Sequence, residues 1–245
     1  MSVLSEVDLV HARSEAFQRR VSDALAVITV ALSQAQRPYI AYSGGKDSMV
    51  VMHLVHSVDP TVPIYWSDDE LEYPEVVEHM TRLQELAGDQ MYIGLGWATH
   101  AGWFRPWRER PFFRDSLSTA MLVEMDTDDW MAGAGFDLVF TGIRGEESRR
   151  RRGWLAEAGP LYSVRSGTGR RCAPLAAWGE HDVWAMIARD RLPYLAVYDR
   201  LYEIGIPRDR MRVGPLPLAH REHLEAGWPE VWARLANRYG AHRWA

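Results

Sequence analysis

Cysteine is almost missing from this chain: among 245 residues only Cys172 carries a thiol. A single thiol cannot close an intramolecular disulfide, and it cannot build a cysteine-ligated zinc or iron–sulfur site. The expectation is a protein of the reducing cytoplasm with no iron–sulfur cluster and no zinc. Lysine is equally scarce. Lys46 is the only one, and the other long basic side chains are all arginine. A bias toward arginine explains the background and makes the exception informative, because an ammonium is a compact point charge where a guanidinium is planar and bulky.

Long apolar runs are absent as well. No stretch approaches the length of a membrane span, and the opening MSVLSEVDLVHARSEAFQRR carries acids where a signal peptide would be continuously apolar. A soluble protein with no membrane partner is expected. Positive charge is not in excess either: the net charge is −5, which gives no electrostatic reason for nucleic acid as a partner.

What is present suffices for one sizeable core, with 47% hydrophobic and 25% charged residues. Residues from about Ser5 to Gln36 have helix-forming composition, with Leu9, Phe17, Val21, Leu25 and Ile28 at helical spacing, and Pro38 ends the segment. YIAY then reads as a buried strand, Lys46–Ser57 as a helix, VPIYWS as a second strand, PEVVEHMTRLQELAG as a helix and MYIGLG as a third strand. FDLVFTG gives another buried strand, CAPLAAWGEHDVWAMIARD leads into a helix with Asp182 near its positive end, and WPEVWARLANRYG forms a last helix. Residues 97–130 have no clean period. Strands alternating with helices predict a mostly parallel sheet in a three-layer α/β/α arrangement. The expected organisation is a helical extension over 1–36, a nucleotide-binding core over 37–200 and a C-terminal tail with a helix over 201–245.

The stretch SGGKDS, Ser43–Ser48, sits where a strand gives way to a helix. In open parallel sheets that is where anions bind, because helix N-termini point free amides outward beyond the carboxyl ends of the strands. Gly44 and Gly45 let the backbone approach a polyphosphate, Lys46 adds a positive charge, and Ser43 and Ser48 can add hydroxyls. The kinase-type pattern G-x-x-x-x-G-K-[ST] is not met, since Ile40 stands at its first glycine and Asp47 follows the lysine.

The strand, S-G-G-K-D-S, helix arrangement resembles the pyrophosphatase loop of the adenine nucleotide alpha-hydrolase superfamily, whose HUP-type Rossmann-like members cleave ATP between its alpha and beta phosphates. Three more segments, in order, resemble the branch that contains phosphoadenosine phosphosulfate reductase, the small subunit of sulfate adenylyltransferase and FAD synthetase. They are VPIYWSDDELEYPE, FTGIRGEESRRR and CAPLAAWGEHDVWAMIARDRLPYLAVYD. The resemblance implies ATP with Mg²⁺ as the bound nucleotide, held by Ser43, Gly44, Gly45, Lys46, Asp47, Ser48, Asp68, Gly142 and Arg144. Lys46, Arg144 and Asp47 would be catalytic, and Asp47 with Asp68 would meet the Mg²⁺. Arg149, Arg150 and Arg171 would hold an anionic acceptor, sulfate or a phosphate ester, with Ser148 a weaker candidate and acceptor choice residing in loops such as 96–129.

Of the other acidic residues at the second strand's tip, Asp69, Glu70 and Glu72 read as solvated loop. His53 and His56, three apart on the first core helix, read as ordinary packed or exposed histidines, and the tryptophans as core or interface material.

The reductases of this branch attack with a cysteine in a C-terminal tail, and the tail here has none. Cys172, followed by Ala173 and Pro174, reads as a small buried hydrophobe. The expected activity is therefore adenylyl transfer from ATP to an oxyanion with release of pyrophosphate. Two alternatives remain: binding or reduction of a sulfonucleotide with a partner's thiol, and a non-catalytic nucleotide-binding subunit. A homo-oligomer or a larger partner subunit fits any of these.

Overall fold

The computed structural model describes residues 2–68, 71–95, 122–123, 135–163, 169–216 and 219–240. Seven strands among them form one sheet: β1 (Pro38–Ala41), β2 (Ile64–Asp68), β3 (Met91–Leu95), β4 (Leu122–Val123), β5 (Leu138–Phe140), β6 (Leu161–Ser163) and β7 (Arg170–Cys172). Their order is β4-β3-β2-β1-β5-β7-β6, and all neighbours run parallel except β6 against β7. The expected mostly parallel sheet with helices is present.

The chain builds one half outward from β1 to β4, then returns to place β5 on the other side of β1. The order therefore reverses between β1 and β5. Ile40 lies level with both Ile64 and Phe140, so the loops leaving β1, β2 and β5 emerge on one edge of the sheet. A crevice opens at such a reversal because the two following connections diverge.

Nine helices are described: α1 (Glu6–Ala12), α2 (Glu15–Ser33), α3 (Lys46–Val58), α4 (Pro74–Ala87), α5 (Arg149–Ala158), α6 (Glu180–Asp190), α7 (Val197–Glu203), α8 (Arg221–Gly227) and α9 (Pro229–Tyr239). Local chemistry accounts for their limits. Ser14 caps α2 by accepting from Phe17 N at 3.2 Å, and prolines open α4 and α9 at positions that need no amide donor. The buried face of α2 is Phe17, Val21, Ala24, Ile28 and Ala31, the spacing of four and three that keeps a helix stripe on one side.

Alternation along the strands sorts their side chains. Ile40, Ile64, Trp66, Leu138, Phe140 and Cys172 enter the main cluster with the helices, while Tyr39, Tyr65 and Val139 join Phe136 in a smaller cluster on the opposite face. Met211, Leu216, Leu224, Trp228 and Leu235, beyond α7, belong to the main cluster. Leu216 N donates to Leu71 O at 2.7 Å and Trp228 Nε1 to Glu75 at 3.0 Å, which seats this last part of the chain beside the end of β2. Among the described residues no helix is long and apolar enough to cross a membrane.

The region 97–130, irregular from sequence, lies largely outside the described residues, as do residues 164–168 and Asp69 and Glu70. The parts that are described add two short strands, β4 and β7. Strand β7 carries Arg170 and Arg171, so composition did not mark it; pairing with β5 and β6 on both sides makes it a strand.

Candidate phosphate-binding site

The loop after β1 turns at Gly44, whose φ of +75° lies in the left-handed region that favours glycine. Its serines knit the turn together. Ser48 Oγ donates to Gly45 O at 2.9 Å and accepts from Ser43 N at 3.2 Å, with Ser43 Oγ also 3.2 Å away. Gly45 caps α3, and Lys46 and Asp47 occupy its first turn.

Gly142, in the loop after β5, comes against this turn. A Cβ built on it would lie 2.9 Å from Ser48 N and 3.0 Å from Asp47 C, so two backbones touch where only hydrogen fits between them. That approach delivers Arg144, 1% exposed, to the carboxylate of Asp47. Arg144 Nε donates to Asp47 Oδ1 at 2.6 Å, and Lys46 Nζ, on a residue also 1% exposed, donates to Asp47 Oδ2 at 2.9 Å. Burial alone would lower the affinity of Arg144 for its proton, but Asp47, Glu146 and Glu147 outweigh it and hold the guanidinium above its ordinary range. Arg144 is further fixed by Glu146, at 2.7 Å, whose Oε2 also accepts from Glu180 N at the start of α6.

The structure thus brings together Ser43, Gly44, Gly45, Lys46, Asp47, Ser48, Gly142 and Arg144. Asp68 ends β2 on the same edge and is buried, as is Glu72. Each oxygen of Asp47 accepts from one cation, which leaves each a further lone pair.

The expected acceptor residues are placed differently. Arg149 and Arg150 are exposed on the first turn of α5, which follows directly on the Gly145–Glu147 turn. Arg171 stands mid-strand in β7, level with Val139 and opposite Tyr162, below the rim formed by the loops. Ser148 is spent as the cap of α5, accepting from Arg151 N at 3.1 Å.

Sequence reasoning missed Tyr198. It is fully buried at the start of α7, and its Oη accepts from Lys46 N at 2.9 Å, taking an amide that would otherwise face an anion at the N-terminus of α3. Burial and the charge of Asp47 push the Tyr198 hydroxyl above its ordinary range, so it stays protonated and has a hydrogen of its own to donate. Its only sequence signal was its place in the segment LPYLAVYD.

Cys172 lies at the end of β7, fully buried, and burial pushes its thiol up to about 12. Such a group is neither accessible nor ionised at neutral pH. His53 and His56 have separate structural partners, Asp190 at 2.7 Å and Val62 O at 2.9 Å. Trp178, Trp184 and Trp228 are core residues, with Trp232 packed against them.

Residues 37–205 match the family described as the phosphoadenosine phosphosulfate reductase domain. The chain belongs to that family. The match begins at β1 and includes every residue of the cradle just described, Tyr198 among them. Curated relatives of this family member are named sulfate adenylyltransferase subunit 2: the protein from Rhizobium meliloti is 24% identical, with 80% of this chain and 72% of the relative aligned. The protein of the same name from Streptomyces lavendulae is 29% identical, over 80% of this chain and 63% of the relative. Among solved structures, Candida glabrata FMN adenylyltransferase, crystallised with FAD and inorganic pyrophosphate, superposes with a TM-score of 0.54 at 12% identity, covering 82% of this chain and 63% of that one. The likeness places the fold in the HUP-type α/β class.

Proposed function

We propose that this family member binds ATP in the Ser43–Ser48 loop and transfers its adenylyl group to an oxyanion, sulfate being the first candidate. The observation that carries the reading is the convergence of Lys46 and Arg144 on Asp47, beside a glycine turn at the strand-order reversal. Two buried cations fixed by one carboxylate form a preorganised site for a group that gains negative charge as a bond breaks.

In this reading the acceptor oxygen attacks the alpha phosphorus, the bond from that phosphorus to the bridging oxygen breaks, and pyrophosphate departs with the electron pair. Lys46 and Arg144 exchange Asp47 for phosphate oxygens as the charge grows. Asp47 and Asp68 are the carboxylates that would hold a Mg²⁺ accompanying ATP, where it would offset phosphate charge. A sulfate oxygen is already anionic, so no side-chain nucleophile is required; this agrees with the buried, protonated state of Cys172. Arg149 and Arg150, exposed one turn beyond Arg144, are the proposed acceptor contacts. The relatives' name, subunit 2, supports a larger partner subunit for this chain too.

The test is acceptor-dependent exchange of labelled pyrophosphate into ATP, with calorimetric titration of a non-hydrolysable ATP analogue and of phosphoadenosine phosphosulfate. Exchange that requires sulfate supports the proposal. Tighter binding of the sulfonucleotide with no exchange would replace it with sulfonucleotide chemistry dependent on a partner's thiol.

A further inference from the structure

Away from the phosphate cradle, a second cluster of polar side chains joins α1 to α6. Asp182 is fully buried in the first turn of α6. Its Oδ2 accepts from Gly179 N at 2.7 Å, which leaves Oδ1 directed at a pair of imidazoles. His11 Nε2, from the last turn of α1, is 2.7 Å from Oδ1, and His181 Nε2 is 3.7 Å from it. The two rings meet edge to face with centroids 4.5 Å apart. One donor atom from each of the three residues lies within 4.8 Å of the others.

The placement of His181 is the informative part. Its side chain is 56% exposed, yet the ring folds back over the start of its own helix instead of extending into solvent. Gly179 permits this, because a Cβ there would lie 2.5 Å from His181 Cε1. Two imidazole nitrogens and one carboxylate oxygen on a buried anchor make a donor set of the zinc type, for which bonds of about 2 Å require donors about 3.3 Å apart. The two separations from Oδ1, 2.7 and 3.7 Å, bracket that value, and all three donors lie within 4.8 Å of one another. The carboxylate's other oxygen is already held by a backbone amide, as an outer contact that orients a ligand should be.

One group stands against an ion here. Arg20 Nη1, from α2, donates to the same Oδ1 at 2.8 Å. Its side chain is 34% exposed, and Asp23 lies one turn along its own helix, so it can leave the carboxylate without losing every acidic neighbour.

We propose that His11, His181 and Asp182 form a site for a Zn²⁺-type divalent ion that clips the N-terminal helix to the core, with Arg20 as the resident competitor. The scarcity of cysteine, which spoke against zinc from sequence, excluded only thiolate-built sites. The experiment is titration of chelator-treated protein with Zn²⁺ and with Co²⁺ as a spectroscopic probe, read by calorimetry and by the visible bands of low-symmetry Co²⁺.

One ion per chain is expected. His181→Ala should weaken binding tenfold or more without changing the unfolding temperature of metal-free protein, and Arg20→Gln should tighten it. Absence of Co²⁺ bands, binding that survives both His181→Ala and His11→Gln, or an Arg20→Gln variant that binds no more tightly would each overturn the proposal.

Discussion

Arg144 Nε donates to Asp47 Oδ1 over 2.6 Å, joining residues 97 positions apart in sequence. The loop after β1 and the loop after β5 are locked together at this contact. Both Lys46 and Arg144 are held in place by Asp47, so the cradle depends on a carboxylate whose first role is positional.

Lys46→Ala removes one of the two cations while leaving the Arg144–Asp47 pair. Nucleotide affinity is expected to fall tenfold or more, with a far-ultraviolet circular dichroism spectrum unchanged. Calorimetric titration with an ATP analogue checks it, and wild-type affinity in the variant would remove the loop from the mechanism.

Gly142→Ala forces a methyl group against Ser48 N and Asp47 C, backbone atoms that cannot rotate away. A loss of about 1–3 kcal/mol is expected, together with loss of nucleotide binding. Gly44→Ala meets mainly the flexible end of Met80 and the penalty of a positive φ, about 1–2 kcal/mol. Chemical denaturation compares the two, and Gly142→Ala should be the more damaging to affinity.

Tyr198→Phe leaves the Lys46 amide without its buried acceptor. The expected cost is about 1–3 kcal/mol in stability, with weaker nucleotide binding. A variant with full affinity would make the tyrosine a packing residue only.

Cys172→Ala should leave the proposed adenylyl transfer intact and lose about 1 kcal/mol for the small cavity. In the wild type, burial holds the thiol near 12 against an ordinary value of 9.0, so native protein should resist alkylation at pH 8 and react after unfolding. Rapid labelling of the native thiol would contradict the burial.

His79, beside Tyr42 Oη at 2.5 Å, has its proton affinity lowered by burial and then by Arg82. The unfolded chain therefore takes up this proton first as pH falls. The native state should lose stability from about pH 6.5 downward, until the folded histidine also titrates. His79→Gln keeps a hydrogen-bonding group near Tyr42 and should flatten that part of a plot of unfolding temperature against pH.

The glycine loop was legible because a turn needing positive φ, a helix start and a lone lysine are local in sequence. Arg144 was legible through its motif, and the strands through apolar runs. Tyr198 was not, since its hydroxyl meets Lys46 across 152 residues and nothing near it announces a polar contact. Asp182 was readable as favouring the start of its helix, but its partners His11 and Arg20 come from 171 and 162 residues away. Strand β7 was not legible around Arg171, because two adjacent arginines carry no apolar alternation and its pairing partners lie elsewhere in the sequence.

The wide sequence spacing of Lys46, Arg144 and Tyr198 bears on how the protein is made. Synthesis proceeds from the N-terminus, so β1 and its glycine turn leave the ribosome long before the groups that complete the cradle. Ligand protection of ribosome-arrested chains should therefore rise in a step once Tyr198 has emerged, because no shorter chain holds all three groups of the cradle.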